Sequence, residues 1–170
     1  MINKKDLKLE RADFIDAVEM ADICRRSFDQ EMILHKDGKP GGPKNYDDPD
    51  WHVHSMKEGV YHRIMHKSRI IGAVIIALRG KINKNGRDLY HWELVQIFID
   101  NDYKNKGVGT FAVKQIEMWF PEMYKLTTGT PSFSAGNIRF YERLGFKKTG
   151  ERYFEDEKID IVLLEKLYSI

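Results

Sequence analysis

The chain has 170 residues, enough for a single domain, 1–170, with a real hydrophobic core. Lys and Arg number 28 against 26 Asp and Glu, so no global positive field steers nucleic acid, and any anion site must be local. Cys24 is the sole cysteine, which excludes a disulfide framework and a thiolate metal cluster. No apolar run nears the roughly 18 residues of a membrane span, and MINKKDLKLE lacks the apolar core of a signal peptide. The expectation is a cytoplasmic protein with no membrane or nucleic-acid partner.

Weak alternation over Leu7–Arg11 predicts a first strand. Asp13 is placed to N-cap a helix over about 14–28, with Phe14, Val18, Ala21 and Phe28 near one face. Residues 35–50, HKDGKPGGPKNYDDPD, form a polar loop rich in Pro and Gly. Val60–His66 and Arg69–Arg79 read as a hairpin across Lys67-Ser68, supported by the β-branched residues Ile70, Ile71, Val74, Ile75 and Ile76. Lys81–Asp88 is a polar turn containing Asn-Gly, and Leu89–Asp100 is the strongest strand. Val108, Phe111, Ala112, Ile116 and Trp119 keep helical spacing until Pro121. Lys125–Thr130 is a short strand, and Ser134 is placed to cap a helix to Leu144 with Gly145 past its end. Lys147–Phe154 and Ile159–Leu167 read as a closing antiparallel pair. This order predicts an α/β (mixed α+β) sheet covered by helices.

Two segments carry chemistry. In Glu93–Thr110, ELVQIFIDNDYKNKGVGT, a buried strand runs into a Gly turn that opens a helix. Backbone N–H groups and the helix dipole then converge on one spot, which suits a phosphate. Gly107 and Gly109 allow close approach and positive φ. The second segment, Asn137–Phe146, reads NIRFYERLGF.

These two segments resemble the Gcn5-related N-acetyltransferase (GNAT) superfamily. Its Arg/Gln-x-x-Gly-x-Gly/Ala turn after the fourth strand is similar to Lys104-Asn105-Lys106-Gly107-Val108-Gly109, with Lys in place of Arg or Gln. Its Asn and Tyr before Gly-Phe resemble Asn137, Tyr141 and Gly145-Phe146. The element order follows the family over nearly the whole chain. The usual Pro after the fourth strand is absent; Asp100-Asn101-Asp102 adds negative charge there, offset by Lys104, Lys106 and Lys114. The resemblance implies a mostly antiparallel, twisted sheet of about six or seven strands with about four helices. It implies acetyl-CoA as co-substrate, a transferase activity without metal, and direct attack of a primary amine of a small molecule or peptide on the thioester. It also admits a homodimer.

Strand alternation puts His91, Glu93, Val95, Ile97 and Ile99 on one face. A carboxylate beside apolar neighbours is a good candidate base, and the resemblance implies that role for Glu93. The alternative is a Glu at the sheet surface holding a Lys or Arg; His91 is the next candidate base. Tyr141 is a phenol suited to protonate the leaving thiolate, a role the resemblance also implies; otherwise it is a core Tyr. Asn137 carries a donor and an acceptor for the pantetheine amides, or simply sits in the first helical turn. The backbone of Ile97, Phe98 and Ile99 suits the pantetheine arm, and the N–H groups of Lys104, Asn105, Lys106, Gly107, Val108, Gly109 and Thr110 suit the pyrophosphate.

The turn is neither a P-loop, since no Gly-Lys-Ser/Thr follows, nor a dinucleotide fingerprint, since a second βαβ half is missing. His62 and His66 are four apart but in a predicted strand, so no His-Glu-x-x-His metal pattern forms. Lys147-Lys148 is a solvated pair or a contact for the 3′-phosphate of CoA. Asp47, Asp48 and Asp50 would attract a cationic acceptor, or are plain surface. The competing function is a non-catalytic module that binds acyl-CoA as a sensor.

Overall fold

The computed structural model describes residues 2–169. Its strands are β1 (Leu7–Arg11), β2 (Val60–His66), β3 (Arg69–Lys84), β4 (Arg87–Ile99), β5 (Met123–Pro131), β6 (Lys147–Phe154) and β7 (Ile159–Leu167). The α-helices are α1 (Ala17–His35), α2 (Pro49–Glu58), α3 (Val108–Trp119) and α4 (Ala135–Arg143). Hydrogen bonding orders the strands β1-β2-β3-β4-β5-β7-β6. The β4–β5 pair is parallel, whereas β1–β2, β2–β3, β5–β7 and β6–β7 are antiparallel. The mixed sheet expected from the element order, and the mostly antiparallel pairing the resemblance implied, are therefore both observed.

Two compact units divide the chain: Met1–Ile76 with Gln96–Trp119, and Ala77–Val95 with Phe120–Ile170. In the first unit the core gathers Met20, Ile23 and Cys24 from α1, Met56 from α2, Tyr61 from β2, Ile75 from β3 and Phe98 from β4. Close approach of β3 and β4 requires Gly72, where a Cβ would lie 2.2 Å from the carbonyl oxygen of Phe98.

The first helix differs from its expected form. Asp13 does cap, but it caps a 3-10 turn, Phe14–Asp16: its Oδ1 accepts from Ile15 N–H, and Asp16 Oδ2 accepts from Asp13 N–H. The α-helix proper starts one turn later, so its buried face is Ala17, Met20, Ala21, Ile23, Cys24 and Ser27. Phe14 and Val18 are 53% and 70% exposed. No Gly or Pro interrupts Asp29–His35, and α1 continues to His35 instead of ending near 28. The loop is correspondingly shorter than 35–50. Asp48 accepts from Asp50 N–H and Pro49 takes the first turn of α2, a start signal hidden inside the loop composition.

In the second unit the expected polar turn over 81–88 shrinks to Asn85-Gly86. Both residues have positive φ, 53° and 80°, the twist that a two-residue hairpin between right-twisted strands prefers. The polar residues around it extend β3 and β4 because they pair as strand: Lys81 Nζ and Asn83 Nδ2 both donate to Asp88. Strands β6 and β7 have the expected bounds.

Candidate active site

In the first unit, β4 ends at Ile99 and Asp100 begins a short turn. Asp100 is 1% exposed, its N–H donates to Ile71 O, its Oδ1 accepts from Asp102 N–H, and its Oδ2 faces Arg26 and Arg69. Of the two carboxylates expected beside a bound phosphate, Asp100 is thus already paired. Asn105 (φ 58°) and Gly107 (φ 81°) then reverse the chain, and a Cβ at Gly107 would meet nothing within 4 Å. The ladder of α3 begins with Phe111 N–H donating to Gly107 O, so the N–H groups just before it have no acceptor inside the helix. They point where the dipole of a 12-residue helix is positive, a ready anion cradle.

Three members of this turn behave differently from expectation. Gly109 does not take positive φ; it lies buried within α3. The side chain of Lys104 turns onto α1, where its Nζ donates to Ser27 O at 2.9 Å and to Gln30 Oε1 at 3.4 Å. Burial lowers the pKa of that amine. Lys106 is exposed and its Nζ donates to Asp102 O at 2.6 Å.

In the second unit, β4 and β5 pair from Tyr90–Met123 to Glu93–Thr127, and the ladder stops there while β4 runs on to Ile99. Alternation along β4 buries Leu94, Gln96 and Phe98 and leaves Glu93, Val95, Ile97 and Ile99 more open. Glu93 does not sit among apolar groups alone. Its Oε2 accepts from Arg79 Nε in an ion pair, with the Glu93 side chain 35% exposed. His91 lies two residues earlier on the same face, with Nε2 2.9 Å from Thr127 Oγ1. Burial lowers the His91 pKa, with further lowering from Lys125, so the ring is neutral at pH 7.

Tyr141 is buried on α4, and burial pushes its hydroxyl up to about 12 despite a hydrogen bond with Thr128. Thr128 Oγ1 also donates to Leu94 O at 3.0 Å. Thr127 shares the face of its ladder partner Glu93, whereas Thr128 points the other way. Glu93 and Tyr141 therefore lie on opposite faces of the β4–β5 ladder. Asn137 is exposed on α4. Ser134 holds the N-cap position without the expected capping bond, and its hydroxyl is buried with no partner. It is a candidate polar contact that sequence reasoning missed. The signal was available: Ser134, Ile138 and Tyr141 fall at i, i+4 and i+7, the buried face of α4.

His62 and His66 stack against Trp119 and Tyr103. Lys147 and Lys148 are exposed. Cys24 is fully buried, with its thiol near Gln96 Oε1 and pushed well above the ordinary range by burial.

The model of the acetyltransferase (GNAT) family matches residues 20–146, a span that includes most of α1, the glycine turn before α3 and α4. The chain belongs to that family. It has the acetyl-CoA-binding fold of the GNAT acetyltransferases. The uncharacterized protein YrkN of Bacillus subtilis (strain 168) is 25% identical over 145 residues, 85% of this chain and 75% of that protein. The spermine/spermidine N(1)-acetyltransferase of the same strain is 39% identical over 80 residues, which is 45% of this chain and half the length of that relative. The solved PaiA N-acetyltransferase from Thermoplasma acidophilum, in complex with coenzyme A, has a TM-score of 0.72 at 13% identity, covering 95% of this chain and 99% of that one. That likeness is one of fold.

Proposed function

We propose that residues 1–170 act as one acetyl-CoA-dependent N-acetyltransferase that moves an acetyl group to a primary amine of a small molecule or peptide. The observation that carries this reading is the positive-φ turn opening α3 directly after β4, with N–H groups free for a pyrophosphate. The backbone of Ile97, Phe98 and Ile99 takes the pantetheine arm as an added strand would. Asn137, exposed on α4, offers a donor and an acceptor suited to an amide.

Transfer follows from groups of the second unit. The amine approaches on the Glu93 face and gives up its proton to that carboxylate, directly or through water. Arg79 orients the carboxylate. His91, neutral and on the same face, is the second candidate base. A backbone N–H of β4 holds the oxyanion, and Tyr141, a phenol that stays protonated at neutral pH, returns a proton to the leaving thiolate. The buried thiol of Cys24 has no nucleophilic form to offer, which supports direct attack over an acetyl-enzyme. A polyamine is the first acceptor to test, given the partial likeness to a spermine/spermidine acetyltransferase and the exposed carboxylates of Asp47 and Asp50.

One observation favours the non-catalytic alternative, an acyl-CoA sensor: the Glu93 carboxylate is already occupied by Arg79. Two measurements separate the readings. Acetyl-CoA, but not ATP or NADH, should raise the melting temperature, and thiol release should appear with a panel of polyamines and N-terminal peptides. Binding without release across the panel would leave the sensor; no binding at millimolar acetyl-CoA would remove both.

A further inference from the structure

Lys104 stands where the family motif invites a phosphate ligand, yet its amine points away from the turn and onto α1. It does not act alone. Asp100 Oδ2 accepts from Arg26 at 3.3 Å, Asn101 Nδ2 donates to Arg26 O at 3.1 Å, and Lys104 Nζ donates to Ser27 O at 2.9 Å and Gln30 Oε1 at 3.4 Å. Three side chains within five residues thus grip a single turn of α1. Immediately after this grip come Asn105 and Gly107, the two positive-φ residues that aim the N–H groups. A backbone held at positive φ gains little from its own local preferences, so its geometry depends on what anchors each end. The far end is secured by the start of α3; at the near end Asp100 is also tied to Ile71 O and Arg69, and Lys104, the last of the three gripping side chains, holds the residue next to Asn105.

We propose that Lys104 is a positioning residue that fixes the anion turn to α1, and not a ligand of the anion itself. The inference rests on the acetyl-CoA reading above for its binding consequence, but the clamp is a property of the free protein. Removing the ammonium loses hydrogen bonds from a charged donor and loosens the turn without altering the charge that meets the phosphates. A phosphate ligand would behave differently, since its loss would also flatten the salt dependence of binding.

The test combines calorimetry with acetyl-CoA at two salt concentrations and amide hydrogen exchange of the free protein. Wild type is compared with Lys104→Met and Lys104→Arg. For Lys104→Met we expect a dissociation constant raised about 10-fold, an unchanged salt dependence, and exchange at Asn105–Gly109 faster by about 10-fold. Lys104→Arg, whose guanidinium still has donors for α1, should restore both. An unchanged dissociation constant, or a flattened salt dependence, would overturn the assignment. If wild type binds no acetyl-CoA, the cofactor reading falls, and the exchange measurement alone decides the clamp: unaltered exchange in Lys104→Met refutes it. Should Lys104→Met fail to fold, Lys104→Gln, which removes the charge but keeps an NH2 donor group, carries the same measurements.

Discussion

Gly107 and Gly86 form a matched pair that separates backbone strain from ligand binding. Both hold positive φ, 81° and 80°, and at neither would an added Cβ meet an atom within 4 Å. Alanine at either site is therefore penalised by the left-handed backbone alone, roughly 1–2 kcal/mol. For a chain of this size that loss lowers the melting temperature by about 2–8 °C. The open space differs in meaning. At Gly86 it is the outside of a hairpin turn; at Gly107 it is the space an anion would fill. Gly107→Ala should accordingly lose acetyl-CoA affinity beyond its stability cost, by about 10-fold or more, equivalent to about 1.4 kcal/mol. Gly86→Ala should bind as wild type. Melting curves with and without acetyl-CoA, together with calorimetric dissociation constants, measure both quantities in one series. Equal affinity in the two variants would refute the placement of the anion at Gly107. A Gly107→Ala protein that melts like wild type would refute the strain argument.

Tyr141→Phe should lower kcat about 100-fold while leaving acetyl-CoA affinity near wild type; because burial pushes the phenol up to about 12, no fall in rate below pH 10 should trace to it, and unchanged turnover would remove the acid role. Glu93→Gln should lower kcat/KM about 100-fold, whereas near wild-type turnover in Glu93→Gln with an acidic limb, midpoint below 6.5, that vanishes in His91→Gln would reassign the base to His91. His52 supplies a pH dependence of stability. Its Nδ1 lies 2.7 Å from Tyr61 Oη and its Nε2 3.0 Å from Tyr46 O, and burial lowers its pKa below 6.5. The unfolded chain then binds the proton more readily, so the contribution is fully present above pH 6.5 and is lost as pH falls from there through the lower folded value. Urea titrations between pH 7 and 5 should show stability falling, and His52→Gln should flatten that slope; an equal slope in the variant would show that another group titrates.

Much of the framework was legible in the residues alone because its signals are local. The β-branched run of β3, the Asn-Gly turn and the helical spacing of α3 up to Pro121 each act within about ten residues, and each produced its element, with the turn narrower and β3 longer than expected. The anion turn belongs to the same class: a strand, glycine at positive φ and a helix start are consecutive in the chain. Side-chain destinations were not legible, since they are set by partners distant in sequence. Lys104 meets α1 more than 70 residues away, Arg79 reaches Glu93 from the neighbouring strand, and Tyr141 meets Thr128 across the α4–β5 connection. Phe14 and Val18 suit a buried helical face by spacing, but the capping box of Asp13 and Asp16 delays the α-helix and rotates them outward. The sequence by itself determined that a glycine turn at positive φ stands between a strand and a helix start. Only the tertiary structure decided what Lys104, Glu93 and Tyr141 each touch, because strand register and helix packing choose partners that no local preference can specify.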